Sequence, residues 1–186
     1  TGEIIGADIM LEWVYITNRI KYDFLYDSDD SGVFLNDHYC SASHEFQKQN
    51  IFGDNCIDLL DLGEEMKKEM VKQSLYRLVL HEVGHTLGLN HNFKGSTLLT
   101  NKEVKNKDIV EQKGLCSSVM EYPAINIAID PKNQGLFYDT KPGPYDHWAI
   151  EFGYSVFENN ELEELTKILS KSTLPSLAFA NDADDM

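Results

Sequence analysis

His81-Glu82-Val83-Gly84-His85-Thr86-Leu87-Gly88-Leu89-Asn90-His91 carries three histidines and a glutamate at spacings that bring them to one point. On a helix His81 and His85 stand one turn apart, about 6 Å at roughly 1.5 Å per residue, so both imidazoles face the same way and can bind one ion. Glu82 then points beside that ion. Gly88 lets the chain leave the helix in a left-handed or otherwise tight conformation, which turns His91 back toward the same place and completes a three-nitrogen set.

Three neutral imidazoles leave the fourth position of a zinc ion open for water, whose pKa falls to about 7 in such sites. Glu82 is too short and too badly angled to be a fourth ligand beside a bound His81, yet it can accept a proton from water and pass it to a leaving amine. The expected roles are therefore metal ligand for His81, His85 and His91, and general base and acid for Glu82. The bland alternative is a solvated helix with surface histidines and no metal. Gly88 and His91 at these offsets count against it. Met66, Met70, Leu75, Leu78, Val79 and Val83 recur at three- and four-residue spacing, which predicts a helix from about Gly63 to Leu87 with that apolar face buried.

Ser117-Ser118-Val119-Met120-Glu121-Tyr122-Pro123 follows downstream, after a polar, lysine-rich loop over 92–113. The histidine spacing is the metzincin signature, and the chain resembles metzincin-type zinc metalloproteases at both segments. The resemblance implies that Met120 is the methionine of the turn beneath the zinc site, a flexible thioether packed under the imidazoles; a plain core methionine is the alternative. Tyr122 resembles the tyrosine that sits at the metal in astacin-like and serralysin-like enzymes and steadies the oxyanion. Its alternative is a ring packed beside Pro123.

Thr1 to Ile9, His81 to Ser96, Ser118 to Pro123 and Gly143 to Tyr154 together resemble a family of large bacterial zinc-dependent metalloproteases, and Leu89 with Asn92-Phe93 resembles pappalysin-like enzymes. The resemblance implies an α+β zincin domain in which a small mixed sheet packs on the long active-site helix, with a mostly helical and irregular C-terminal part. It also implies one catalytic domain over residues 1–186, with an upper part over 1–91 and a lower part over 92–186. One catalytic zinc, a protein or peptide substrate, and export to the periplasm, outer membrane or exterior complete the expectation. His147, inside the last matching segment, reads as a surface or core histidine rather than a ligand. Two other readings stay open at this point: a metal-stabilised binding module without catalysis, and a zinc hydrolase of non-peptide amides. A structural zinc site usually closes all four positions and needs no base, so Glu82 discriminates between module and enzyme.

Composition agrees with a globular catalytic domain, with 42% hydrophobic residues and a formal charge of −15. That charge disfavours nucleic acid and anionic membrane surfaces as partners. No run of about 18 apolar residues predicts a membrane span, no leader precedes Thr1, and the start without methionine reads as a fragment or processed product of a longer chain. Residues 3–16 are expected to begin as a strand, with a helix over 10–20 as the alternative, and residues 27–63 to be irregular and acidic. Residues 123–144 show turn signals, whereas 145–154 and 161–170 read as helices and the tail over 181–186 as acidic. Asp27-Ser28-Asp29-Asp30-Ser31-Gly32 has the first half of a calcium-loop pattern, but His38 stands at its twelfth position, so an acidic turn is favoured over calcium. If the protein is exported, Cys40 and Cys56 form a candidate disulfide and Cys116 stays unpaired.

Overall fold

The computed structural model describes residues 4, 6–9 and 42–184. Helix α1, Ala42–Leu59, and helix α2, Glu64–Thr86, pack together as a hairpin. Their short joint turns through two left-handed residues, Asp61 and Gly63. Then come a 3-10 turn at Gly95–Leu98, helix α3 at Lys107–Lys113, a 3-10 turn at Pro131–Asn133, helix α4 at Pro144–Tyr154, helix α5 at Glu161–Leu169 and a last 3-10 turn at Pro175–Leu177.

The small mixed sheet expected on the long helix is not found: no strand occurs among the described residues. Ile4 and Gly6 to Ile9 carry no strand pairing, and the rest of the expected first strand lies outside the described residues. The irregular stretch expected over 27–63 is also corrected, because its second half is α1. Ala42, Phe46, Gly53 and Ile57 are buried at helical spacing, but polar residues and a glycine between them dilute the apolar signal.

The partner of α2 is α1 on one side and an irregular stretch around 115–139 on another. Ala42, Phe46 and Ile57 of α1, Met70 and Leu78 of α2, and Ile125, Phe137 and Tyr138 form the main core. A smaller cluster gathers Val110, Leu115 and Cys116. An irregular segment can be buried only if its backbone polar groups find partners, and α2 supplies several of them from Gln73, Arg77 and His81 on its polar inner face. Gln73 Oε1 accepts from the backbone N–H of Phe137 at 2.7 Å and of Tyr138 at 3.2 Å. Arg77 Nη2 donates to the carbonyls of Ser118 and Glu121, both at 3.0 Å. These side chains do the work that a strand ladder does in a sheet.

The apolar face expected for α2 is corrected accordingly. Met70 and Leu78 are buried and Met66 and Leu75 half-buried, while Val79 and Val83 are exposed. The expected helices at 145–154 and 161–170 form within a residue of their bounds, and Trp148 Nε1 ties them together by donating to the Ile168 carbonyl at 2.8 Å. No helix among the described residues is long and apolar enough to cross a membrane. Among the described residues Cys56 and Cys116 form no disulfide with each other, and the candidate bridge from Cys56 reaches beyond those residues to Cys40. Cys40 and the Asp27 to Gly32 acidic turn lie outside the described residues.

Candidate metal centre

Helix α2 ends at Thr86 in a Schellman arrangement: the Leu89 N–H reaches the Gly84 carbonyl at 3.0 Å and the Gly88 N–H the His85 carbonyl at 2.9 Å. Gly88 takes φ of 84°, the left-handed conformation that a side chain would penalise. This turn redirects the chain so that His91 faces back to the last turns of α2. One ligand atom from each of His81, His85 and His91 falls within 4.8 Å of the others, and His85 Nε2 lies 3.1 Å from His91 Nε2.

Each imidazole is oriented through its other nitrogen. His81 Nδ1 donates to the Val119 carbonyl at 2.8 Å, and His85 Nδ1 to the Leu89 carbonyl at 3.0 Å. His91 Nδ1 faces both oxygens of Asp182 at 3.0 and 3.1 Å. With protons on the three Nδ1 atoms, the three Nε2 atoms present lone pairs to one another. Lone pairs converging at 3.1 Å repel unless a cation or donor sits among them, and nitrogens bound tetrahedrally at about 2.0–2.1 Å stand roughly 3.3 Å apart. The donor set therefore fits zinc. Burial pushes the His81 pKa down to about 3, with the neighbouring His85, Arg77 and His91 acting in the same direction, so this imidazole stays neutral at ordinary pH.

The floor of the site comes from residues 117–122. Met120 is fully buried, and its sulfur lies 2.3 Å from where a β-carbon on Gly84 would sit. Only glycine at position 84, between the first two histidines, lets the thioether approach this closely. Asp146 of α4 holds the segment from below: its carboxylate accepts from Ser118 Oγ at 2.6 Å and from the Val119 and Gly143 N–H groups at 2.8 Å each. Glu121 accepts from the N–H groups of Ser96 and Tyr122, both at 3.0 Å. Behind the floor lies the buried Arg77, whose Nε and Nη1 find no hydrogen-bond partner among the described residues. Burial pushes the nearby Asp139 carboxyl up, against the pull of Arg77 and of the N–H donors of Leu115 and Cys116.

Tyr122 meets the imidazoles directly, its hydroxyl 3.0 Å from His91 Nε2 and its ring 5.3 Å from that of His81. Glu82 is half-buried, and its carboxylate has no hydrogen bond or ion pair among the described residues. His147 is exposed on α4 and stays outside the histidine cluster.

The structure thus gathers His81, His85, His91 and Tyr122, with Met120 beneath and Gly88 at the turn. Sequence reasoning missed Asp146 and Asp182. Asp146 sits within the resembling segment 143–154, a signal without a role attached, whereas Asp182 lies in what reads as a merely acidic tail. No curated protein and no solved structure matches the chain. The family described as Met-zincin matches residues 63–186, from the start of α2 through the histidines and the methionine segment to the tail that carries Asp182. The chain belongs to the Met-zincin family.

Proposed function

We propose that this chain is a zinc-dependent endopeptidase. The observation that carries the reading is the convergence of three Nε2 atoms whose Nδ1 atoms are already engaged, beside a glutamate without a partner among the described residues. His81, His85 and His91 would hold the ion. When bound, zinc supplies a Lewis acid that polarises a peptide carbonyl and lowers the pKa of water to about 7. Glu82 accepts the proton of the attacking water and delivers it to the departing amine. Tyr122 donates its phenol hydrogen to the oxygen that gains charge as the carbonyl is attacked. Met120 fills the space under the imidazoles and keeps water from their underside.

Glu82→Gln tests the reading, because the amide is nearly isosteric but a poor proton acceptor. The variant is expected to keep one zinc per chain and the wild-type unfolding midpoint while losing hydrolysis of a peptide library about 100-fold or more, the usual contribution of a positioned acid-base group. Zinc-loaded wild type and variant are compared by mass spectrometry of the digested library. Cleavage by Glu82→Gln at the wild-type rate would remove the base assignment. A wild type that holds zinc and cleaves no peptide would favour a binding module.

A further inference from the structure

The third ligand differs from the other two in how it is held. His81 and His85 sit on α2 and donate to backbone carbonyls, whereas His91 lies outside any helix and faces a carboxylate 91 residues away in sequence. Resting on the zinc reading, we propose that Asp182 is a positioning residue for the metal centre: it fixes the His91 proton on Nδ1, aims Nε2 at the ion, and makes the C-terminal segment part of the site.

The placement of Asp182 has its own anchors. Buried Asn92, next to His91, donates from Nδ2 to the Ala178 carbonyl at 3.1 Å and accepts from the Ala180 N–H at 3.3 Å. The Phe93 N–H donates to the Ala180 carbonyl at 2.8 Å. Leu177 and Ala180 are buried, and the Phe179 ring stacks on Tyr145 of α4 at 5.6 Å. Beyond them a turn closes around Asp182: the Asn181 N–H donates to Asp184 at 2.8 Å, and the Ala183 N–H to the Asn181 side chain at 2.9 Å. The loop that follows the third ligand and the segment that carries the carboxylate are therefore clamped to each other by groups other than the His91–Asp182 pair.

That separation decides what the carboxylate contributes. Its side chain is 66% exposed, so as an ion pair it adds little to folding. Its effect falls on the imidazole instead. A carboxylate on Nδ1 selects the tautomer with a free Nε2 lone pair, restricts rotation of the ring and raises its basicity, and such partners change metal affinity about 10- to 100-fold. A neutral acceptor at the same place would keep the tautomer and lose the charge.

The test uses the full chain and zinc itself. Zinc affinity is measured by competition with a chromophoric chelator for wild type, Asp182→Ala, Asp182→Asn and Asp184→Asn, and the His91 tautomer is read from imidazole nitrogen-15 shifts of the metal-free proteins. Asp182→Ala is expected to bind zinc about 10- to 100-fold more weakly and to lose the Nδ1–H preference of His91, with an unchanged thermal midpoint of the metal-free protein. Asp182→Asn should keep the tautomer and recover part of the affinity. Asp184→Asn, which removes an equal charge two residues away while its amide oxygen still accepts from the Asn181 N–H, should match wild type. Wild-type affinity and tautomer in Asp182→Ala overturn the proposal, as does an equal loss in Asp184→Asn, which would assign the effect to bulk charge. A wild type that takes up no zinc sinks the zinc reading and the positioning role with it, and the tautomer measurement still tells whether the Asp182–His91 contact exists.

Discussion

The Tyr122 hydroxyl shares His91 Nε2 with the ion that the site would hold, since it lies 3.0 Å from the nitrogen expected to bind metal. Filling the site takes that lone pair away and frees the phenol hydrogen for another acceptor. The nearest use is the substrate oxygen that gains charge during attack, and a donor used chiefly at that stage raises turnover more than affinity. Tyr122→Phe should therefore lower kcat by roughly 10²-fold, the usual cost of losing one oxyanion donor, with little change in KM. Phenylalanine fills almost the same volume against His81, His91 and Phe93, so zinc content and thermal midpoint should stay at wild-type values. Steady-state kinetics on any cleaved peptide decides it, and unchanged kcat would leave the ring a packing role only.

At the scale of elements, α2 explains both what the sequence discloses and what it hides. The helix and its clustered histidines are legible because the three imidazoles lie on one turn and one C-terminal cap, where spacing alone sets direction. Met120 and Tyr122 are legible through their motif. The inner face of α2 is not, because Gln73, Ser74 and Arg77 are buried polar residues, and apolar periodicity points instead to Val79 and Val83, which are exposed. The expected sheet is missing among the described residues for the same reason: Gln73 and Arg77 partner backbone groups of Phe137, Tyr138, Ser118 and Glu121, a pairing that no local pattern announces. Asp146 is the other hidden support, 28 residues from Ser118 in the chain. It is buried and accepts from a hydroxyl and two N–H groups. Leaving such buried donors unpaired costs about 1–3 kcal/mol each. Asp146→Ala should therefore lose on the order of 3 kcal/mol in urea unfolding. Because Val119, held by Asp146, in turn holds His81 Nδ1, zinc affinity should fall as well. His147→Ala, one residue along on the exposed side of α4, should change neither, and equal effects from the two substitutions would argue against this chain of contacts.

Across the whole molecule the candidate metal centre joins parts that share little else. His81 and His85 bring α2, His91 brings the following loop, Val119 brings the methionine segment that rests on α4, and Asp182 brings the C-terminal segment. A ligand that binds only the folded arrangement stabilises it by mass action, about 2.7 kcal/mol when free zinc is 100 times its Kd. For a chain of this size about 2–4 °C accompanies each kcal/mol, so stripping zinc with a chelator should lower the thermal midpoint by roughly 5–11 °C. The loss should be uneven. Removing a divalent cation also returns the chain to its full formal charge of −15, and the repulsion is felt most where Glu82 and Asp182 lie close to the emptied site. The Phe93 amide, hydrogen-bonded to the Ala180 carbonyl, should exchange with solvent much faster after chelation. The Phe137 amide, bonded to Gln73 within the α1–α2 core, should keep its protection apart from the global change. Hydrogen exchange followed amide by amide, with and without chelator at fixed ionic strength, distinguishes the outcomes. Equal acceleration at both amides would mean that zinc stabilises the molecule as one cooperative unit rather than by holding the C-terminal segment onto the third ligand.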